Sequence, residues 1–215
     1  MTKKLRSKAP ARTTYRHGDL RRALLEAGIA LARAGGPDAI VLREATRRAG
    51  VVPNAAYRHF ASRQDLLEAV RSAALAELAK TMEAEIARMT RGKSGADAAR
   101  ANLRAVGTGY VRFALAETGL FRTAFATPEF RGFSSDPARS GDSGLNPFQL
   151  LSKALDEFVE TGLLPADRRP AAEFLAWSAV HGFAMLVIDG PLNTVPRADI
   201  DGLAARVIAM VEAGL

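Results

Sequence analysis

The side chains of this 215-residue chain able to do chemistry concentrate between Val41 and Phe60, VLREATRRAGVVPNAAYRHF. Arg43, Arg47 and Arg48 share one short stretch of helix formers. Gly50, a residue that can take the left-handed conformation at a helix end, follows them. Pro53 then stands where a first helical residue belongs, its ring already near the helical φ. The second stretch ends in the aromatic, basic cluster Tyr57, Arg58, His59 and Phe60. These groups donate hydrogen bonds and carry positive charge; none is an activated nucleophile. Two short helices joined by a turn of about three or four residues containing Gly form a helix-turn-helix pattern, and the helix opening at Pro53 is the one expected to read a DNA major groove.

Other chemistries find little support. There is no cysteine, which excludes disulfides and thiolate metal sites. His17, His59 and His181 are far apart in sequence and make no metal-spaced pair. No nucleophile elbow, phosphate-binding loop or His-anchored triad can be read, so an enzyme is not expected, nor a cofactor or metal. The longest apolar run, Phe174 to Ile188, is interrupted by Ser178, His181 and Gly182, too short and broken for a membrane span. The basic N-terminus has no apolar stretch and cleavage site behind it, so a cytoplasmic protein is expected.

Charge is divided unevenly. Residues 1–63 hold 14 Lys/Arg against 4 Asp/Glu, whereas residues 64–215 hold 16 against 19. A basic N-terminal third on a mildly acidic body fits a nucleic-acid-binding module joined to something else. Residues 1–16 carry Lys3, Lys4, Arg6, Lys8, Arg12 and Arg16 without an acid, the composition of a flexible basic arm. Such an arm follows a phosphate backbone or enters a minor groove; a tail with merely non-specific attraction is the alternative.

The elements that must position these groups read as all-α, about nine helices. Leu20, Leu24, Ala27 and Leu31 place helix one over Asp19 to about Ala34, before Gly35-Gly36-Pro37. Ser62 is a candidate cap for helix four, with Asp65 in its first turn. The stripe Leu66, Leu67, Val70, Ala74, Leu78, Met82, Ile86 and Met89 continues to Gly92, roughly 45 Å of helix at 1.5 Å per residue. Helix five carries Leu103, Val106, Tyr110 and Phe113 but also Gly107 and Gly109, so either backbones approach closely there or the helix is irregular. Gly119 to Ala126 is a short sixth helix. Residues 128–147, rich in Pro, Gly, Ser and Asp, read as a long mobile loop. Helix seven covers Pro147 to Thr161. Helix eight, Pro170 to about Asp189, is apolar on more than one face and should be covered on two sides. Helix nine runs from about Arg197 to Ala213.

Taken in order, LRRALLEAGIALARAGG, LREATRRAGV and AAYRHFASRQDLLEAV strongly resemble the N-terminal DNA-binding domain of the TetR family of transcriptional regulators. The run Trp177-Ser178-Ala179-Val180-His181-Gly182, with Tyr110 to Ala114 and Gly119 to Arg122 upstream, is similar to a subgroup named for a Trp–His–Gly pattern. The resemblance implies three parts: an arm over 1–16, a helix-turn-helix domain over 17–61 and a ligand-binding and dimerisation domain over 62–215. It implies a homodimer through the last two long helices, a double-stranded DNA operator of pseudo-palindromic form, and a small-molecule effector whose binding moves helix four. The function implied is a ligand-responsive repressor, associated with the bacterial nucleoid. The other reading of the same residues is a helical DNA-associated or partner-binding protein without operator specificity.

By the same resemblance, Tyr57, His59 and Arg63 are expected to meet phosphates, with Arg43 and Arg58 as further contacts. Pro53, Asn54 and Ala55 lie where base edges are met; Asn54 can pair with adenine and Ala55 can touch a thymine methyl. Asn54 as a local backbone cap is the competing reading. Tyr110, Phe113, Phe121, Phe125, Phe148, Trp177, His181 and Met185 are the pocket candidates, although their spacing does not separate a cavity wall from ordinary packing. Two positions depart from the family pattern: Val41 and Val52 replace the Thr and Ser that would cap helices two and three. The Ala45-Thr46 pair also inverts the usual larger apolar residue followed by Ala.

Overall fold

The computed structural model describes residues 17–126 and 135–215, leaving out the side chains of 17–19 and 53. The basic arm expected over 1–16 lies outside the described residues. Nine α-helices and no strand occur among the described residues: α1 His17–Gly35, α2 Leu42–Arg48, α3 Pro53–Ala56, α4 Arg63–Met89, α5 Gly95–Ala116, α6 Thr118–Ala124, α7 Pro147–Glu160, α8 Ala172–Ile188 and α9 Arg197–Gly214. The chain is all-α, as its periodicity indicates.

The head is made of α1 to α3. Leu24, Leu31, Ile40, Leu42, Ala45, Ala56 and Phe60 are buried together there, a small set for three helices. Beneath them lies the start of α4, where Leu66 and Val70 press on Gly28 of α1; a Cβ there would meet Val70 Cγ2 at 2.7 Å. Helix α2 closes as anticipated around Gly50. Its φ is 68°, Gly50 N–H donates to Arg47 O at 3.2 Å and Val51 N–H to Thr46 O at 3.1 Å. That nested pair satisfies carbonyls the helix end leaves open and turns the chain toward α3.

Helix α3 is shorter than the sequence suggests. It ends at Ala56 rather than running into Tyr57–Phe60. The N–H groups of His59 and Phe60 both converge on Ala56 O at 2.9 Å, tightening the last turn so that Phe60 swings into the core at 2% exposure.

Ser62 caps α4 as expected, its hydroxyl accepting from Asp65 N–H at 3.1 Å. The helix stops at Met89, where the Thr90 hydroxyl donates to Ile86 O at 2.7 Å, a few residues short of Gly92. Its 27 residues span about 40 Å. Helix α5 packs along α4, and Gly109 explains how closely. A Cβ at Gly109 would stand 2.6 Å from Met82 Cα, so the glycine serves close backbone approach and α5 remains continuous.

Two expectations are corrected here. Residues 135–146, part of the stretch read as a mobile loop, are tied down, while 127–134 lie outside the described residues. A 3-10 turn over Pro137–Arg139 buries Arg139, and the Glu83 carboxylate of α4 accepts from Asp142 N–H at 2.8 Å and Ser143 N–H at 3.0 Å. The composition is that of a loop, but one polar anchor on α4 organises it. Helix α8 begins at Ala172 rather than Pro170, because Ala171 takes the left-handed conformation at φ 63°.

Candidate nucleic-acid interface and cavity

At the edge formed by α2 and α3, side chains project without internal partners. Arg43, Asn54, Tyr57 and Arg58 are exposed, Tyr57 at 57%. Arg47 and Arg48 behave differently. Arg47 donates to Glu44 at 2.8 and 2.7 Å and Arg48 at 3.1 Å. The Arg47 hydrogen bond, followed by that of Arg48, holds the Glu44 carboxyl down at about 2. Of the α2 arginines, Arg43 alone makes no ion pair among the described residues, which leaves its charge for an external anion. Ala55 is half-buried and His59 partly so.

Arg63 does more than face outward. Its Nε donates to Ile40 O at 2.8 Å and its Nη2 to Pro37 O at 2.8 Å. The first residue of α4 therefore clamps the α1–α2 connection. Thr46 is buried at 2%, its hydroxyl returned to Arg43 O at 2.6 Å, so the inverted Ala45-Thr46 pair is accommodated by a local hydrogen bond. Val41 and Val52 occupy the cap positions of α2 and α3 in extended conformation, without a side-chain cap bond.

Behind the head, α4, α5, α7, α8 and α9 surround a cavity of about 180 Å³. Of the eight pocket candidates, Tyr110, Phe125, Phe148 and Trp177 line it. Phe113, Phe121, His181 and Met185 stand outside the lining. Phe121 and His181 form its backing: Tyr110 meets Phe121 edge-on at 5.5 Å, and His181 lies 4.9 Å from Phe125 and 5.8 Å from Trp177.

One hydrogen-bond chain fixes this wall. Trp177 Nε1 donates to the Tyr110 hydroxyl at 3.0 Å, and the hydroxyl lies 2.7 Å from His181 Nδ1. An indole N–H only donates, so the Tyr110 hydroxyl accepts from Trp177, while the direction of its bond with His181 is set by the imidazole tautomer. Burial pushes the Tyr110 phenol up and the His181 imidazole down, favouring the uncharged form of each.

Sequence reasoning missed Arg71, Arg139 and Asn146 in the lining. Arg71 is buried at 6% and donates from Nε to Ala124 O at 3.0 Å. Its signal was present: an arginine inside the apolar stripe Leu67, Val70, Ala74. Arg139 had none, lying in an aperiodic segment. Asn146 caps α7 in a reciprocal pair with Gln149, at 2.9 and 3.0 Å.

These two regions can now be set beside known proteins. Residues 24–70 match the family described as bacterial regulatory proteins of the tetR family, and residues 103–211 match the tetracyclin repressor-like C-terminal domain. The chain belongs to the TetR family of transcriptional regulators. A solved protein from Rhodococcus sp. RHA1 shares 27% identity at a TM-score of 0.73, covering 94% of this chain and 98% of its own. The TetR-family regulator PfmR from Thermus thermophilus shares the fold at 20% identity and a TM-score of 0.54, covering 89% of this chain and 98% of its own. The sequence matches no curated protein. As a TetR-family member the chain is a DNA-binding regulator, and α1 to α3 are its helix-turn-helix head. No described helix is long and apolar enough to cross a membrane.

Proposed function

We propose that this TetR-family regulator is a ligand-responsive repressor that binds a pseudo-palindromic operator as a homodimer. The observation that carries the reading is that one helix belongs to both regions. Arg63 at the start of α4 grips the head through Pro37 O and Ile40 O, and Arg71, Leu75 and Met82 of the same helix line the cavity. Arg71 lies eight positions after Arg63, about 12 Å along the helix. A ligand that shifts α4 shifts the head with it.

Pairing is supported by α8 and α9. Phe174, Leu175, Leu186 and Met210 are 42%, 68%, 46% and 61% exposed on helices whose other faces are buried. Large apolar side chains gathered on two neighbouring helices suit a face closed by a second copy. That is the second covering side that the apolar pattern of α8 calls for. Within the head, Arg43, Tyr57, Arg58, His59 and Arg63 contact phosphates, while Pro53, Asn54 and Ala55 meet base edges. The setting is the cytoplasm, on the nucleoid.

The test is retention of genomic DNA fragments in a gel shift. Arg43→Ala with Arg58→Ala is expected to weaken operator binding at least tenfold, and to flatten the salt dependence by about four charges per dimer, two from each protomer, since each phosphate contact contributes a slope of roughly 0.9. The Tyr57→Ala, His59→Ala pair should also bind more weakly. Binding unchanged in both would remove these residues from the interface. A steep salt dependence with no preferred fragment would replace the repressor by a DNA-associated protein without operator specificity.

A further inference from the structure

The cavity is chemically lopsided. Most of its lining is apolar, including Leu75, Leu103, Val106, Phe148 and Val180. Among the described lining residues, two carry a formal charge and both are arginines, Arg71 and Arg139; none is Asp or Glu. They are 6% and 4% exposed, and two cations in a largely apolar wall are costly unless something answers them.

The internal partners of Arg139 answer it only in part. Glu68 accepts from Arg139 Nη2 and, at 3.4 Å, from Arg71 Nη1; Asp136 lies 3.2 Å from Arg139 Nε. Neither carboxylate lines the cavity. Their side chains are 36% and 38% exposed, so water screens their charge while the guanidiniums stay buried. Despite its depth, Arg139 Nε completes no hydrogen bond. Two cations from separate elements, α4 and the Pro137–Arg139 turn, thus line one largely apolar space.

Size narrows the ligand further. An apolar cavity of about 150 Å³ accommodates benzene. A space of about 180 Å³ takes one ring or a short acyl chain with a small polar end. We infer that the effector is a small carboxylic acid with an apolar body, a monocyclic aromatic acid or a short-chain fatty acid, whose carboxylate is held by Arg71 and Arg139. Guanidinium forks match carboxylate geometry, and the interaction gains strength where water is excluded. The inference rests on the reading of this cavity as the effector site.

The experiment titrates the full chain with benzoate, phenylacetate and hexanoate, each beside its primary amide, by calorimetry and by the fluorescence of Trp177. Each pair keeps the apolar body and removes the charge. At least one acid should bind about tenfold more tightly than its amide, since charge-assisted hydrogen bonds are roughly twice as strong as neutral ones. Arg139→Gln should bring that acid down toward the affinity of its amide, weakening the acid much more than the amide. Amides binding as well as their acids, or no acid binding at millimolar concentration, overturns the inference. An Arg139→Gln protein that melts like the wild type and keeps the acid preference also overturns it. The wild-type acid–amide comparison needs no variant, so a misfolded substitution does not blunt the test. Adding the same acids to the protein–DNA complex separates the two readings: an acid that binds without releasing DNA leaves the ligand class standing and defeats the effector role.

Discussion

Arginine has opposite uses in the two halves of this molecule. In the head, Arg43 and Arg58 are exposed and unpaired among the described residues, on a unit with few buried apolar side chains. In the body, Arg71 and Arg139 are almost wholly buried and held from several sides. The head keeps its charge at the surface and has little core to spare. The body has core in excess and uses it to enclose polar groups. A surface cation binds through long-range attraction that salt weakens, whereas a buried one binds by desolvated, shape-dependent contact. The first suits a repeating polyanion, the second a single small acid.

The contrast in core size makes the largest prediction. Phe60 and Phe158 are both buried, at 2% and 1%, so Phe→Ala at either should cost about 3–5 kcal/mol. The consequences should diverge. Phe60→Ala removes the largest side chain of a minimal core, and DNA binding should be lost while α5 to α9 keep their melting transition. Phe158→Ala should lower the melting temperature of the body yet retain DNA binding below it. Calorimetric melts paired with gel shifts check this; equal loss of DNA binding in both would mean that head and body unfold as one unit.

Next in size is the α4–α5 contact. Gly109→Ala puts a methyl group 2.6 Å from Met82 Cα, backbone against backbone, where no rotamer change gives relief. Overpacking of this kind costs about 1–3 kcal/mol. A melting temperature unchanged by the substitution would show that α5 can slide on α4 at little cost.

The success of the sequence reading tracks these same differences. Ser62, Gly50 and the stripes of α1 and α4 are local signals, and the structure follows them because caps and periodicity act within a few residues. Termini set by tertiary packing were not legible. The end of α3 depends on Phe60 turning into the core, and no propensity at Tyr57 announces that. The cavity was half legible for a similar reason. Tyr110 and Phe113 share a face of α5 by spacing, yet Tyr110 lines the cavity and Phe113 does not. Both are buried, and which of them meets the cavity depends on how α8 and α9, more than 50 positions away, sit against α5. Arg71 was visible as a charge in an apolar stripe. Arg139 was not, since its burial depends on an aperiodic segment tied down by Glu83.

The Tyr110–His181 pair gives a pH test of the body. Burial lowers the folded-state pKa of His181 below its ordinary value near 6.5, and the rings packed against it, Phe121, Phe125, Tyr110 and Trp177, are uncharged. With the folded pKa below the unfolded one, the unfolded chain binds the proton more readily. Stability from the neutral imidazole is therefore complete above the unfolded pKa and declines as pH falls from there toward the folded value. His181→Gln should flatten the pH dependence of the melting temperature in that window, with DNA affinity at neutral pH little changed. A wild-type slope that survives the substitution would assign the titration to another group.

The smallest expected effect returns to the head and tests whether its thin core is its weak point. Val41 has φ −120° and ψ 123°, Val52 φ −73° and ψ 143°, both suited to an N-cap, yet neither side chain offers an acceptor. They are 46% and 69% exposed, so replacing them removes little buried apolar surface. Val41→Thr and Val52→Ser should each supply a hydroxyl to the open N–H groups of α2 and α3, stabilising the head by about 1 kcal/mol. The gain should appear in the head's transition and as tighter operator binding, because the four residues of α3 must be ordered to meet the groove. A cap in the body should act differently: Asn146→Ala should lower the melting temperature without a direct effect on the recognition edge. Added caps that raise stability but leave DNA affinity unchanged would show that α3 is already fully formed. The weakness of the head would then lie in its contacts rather than in its order.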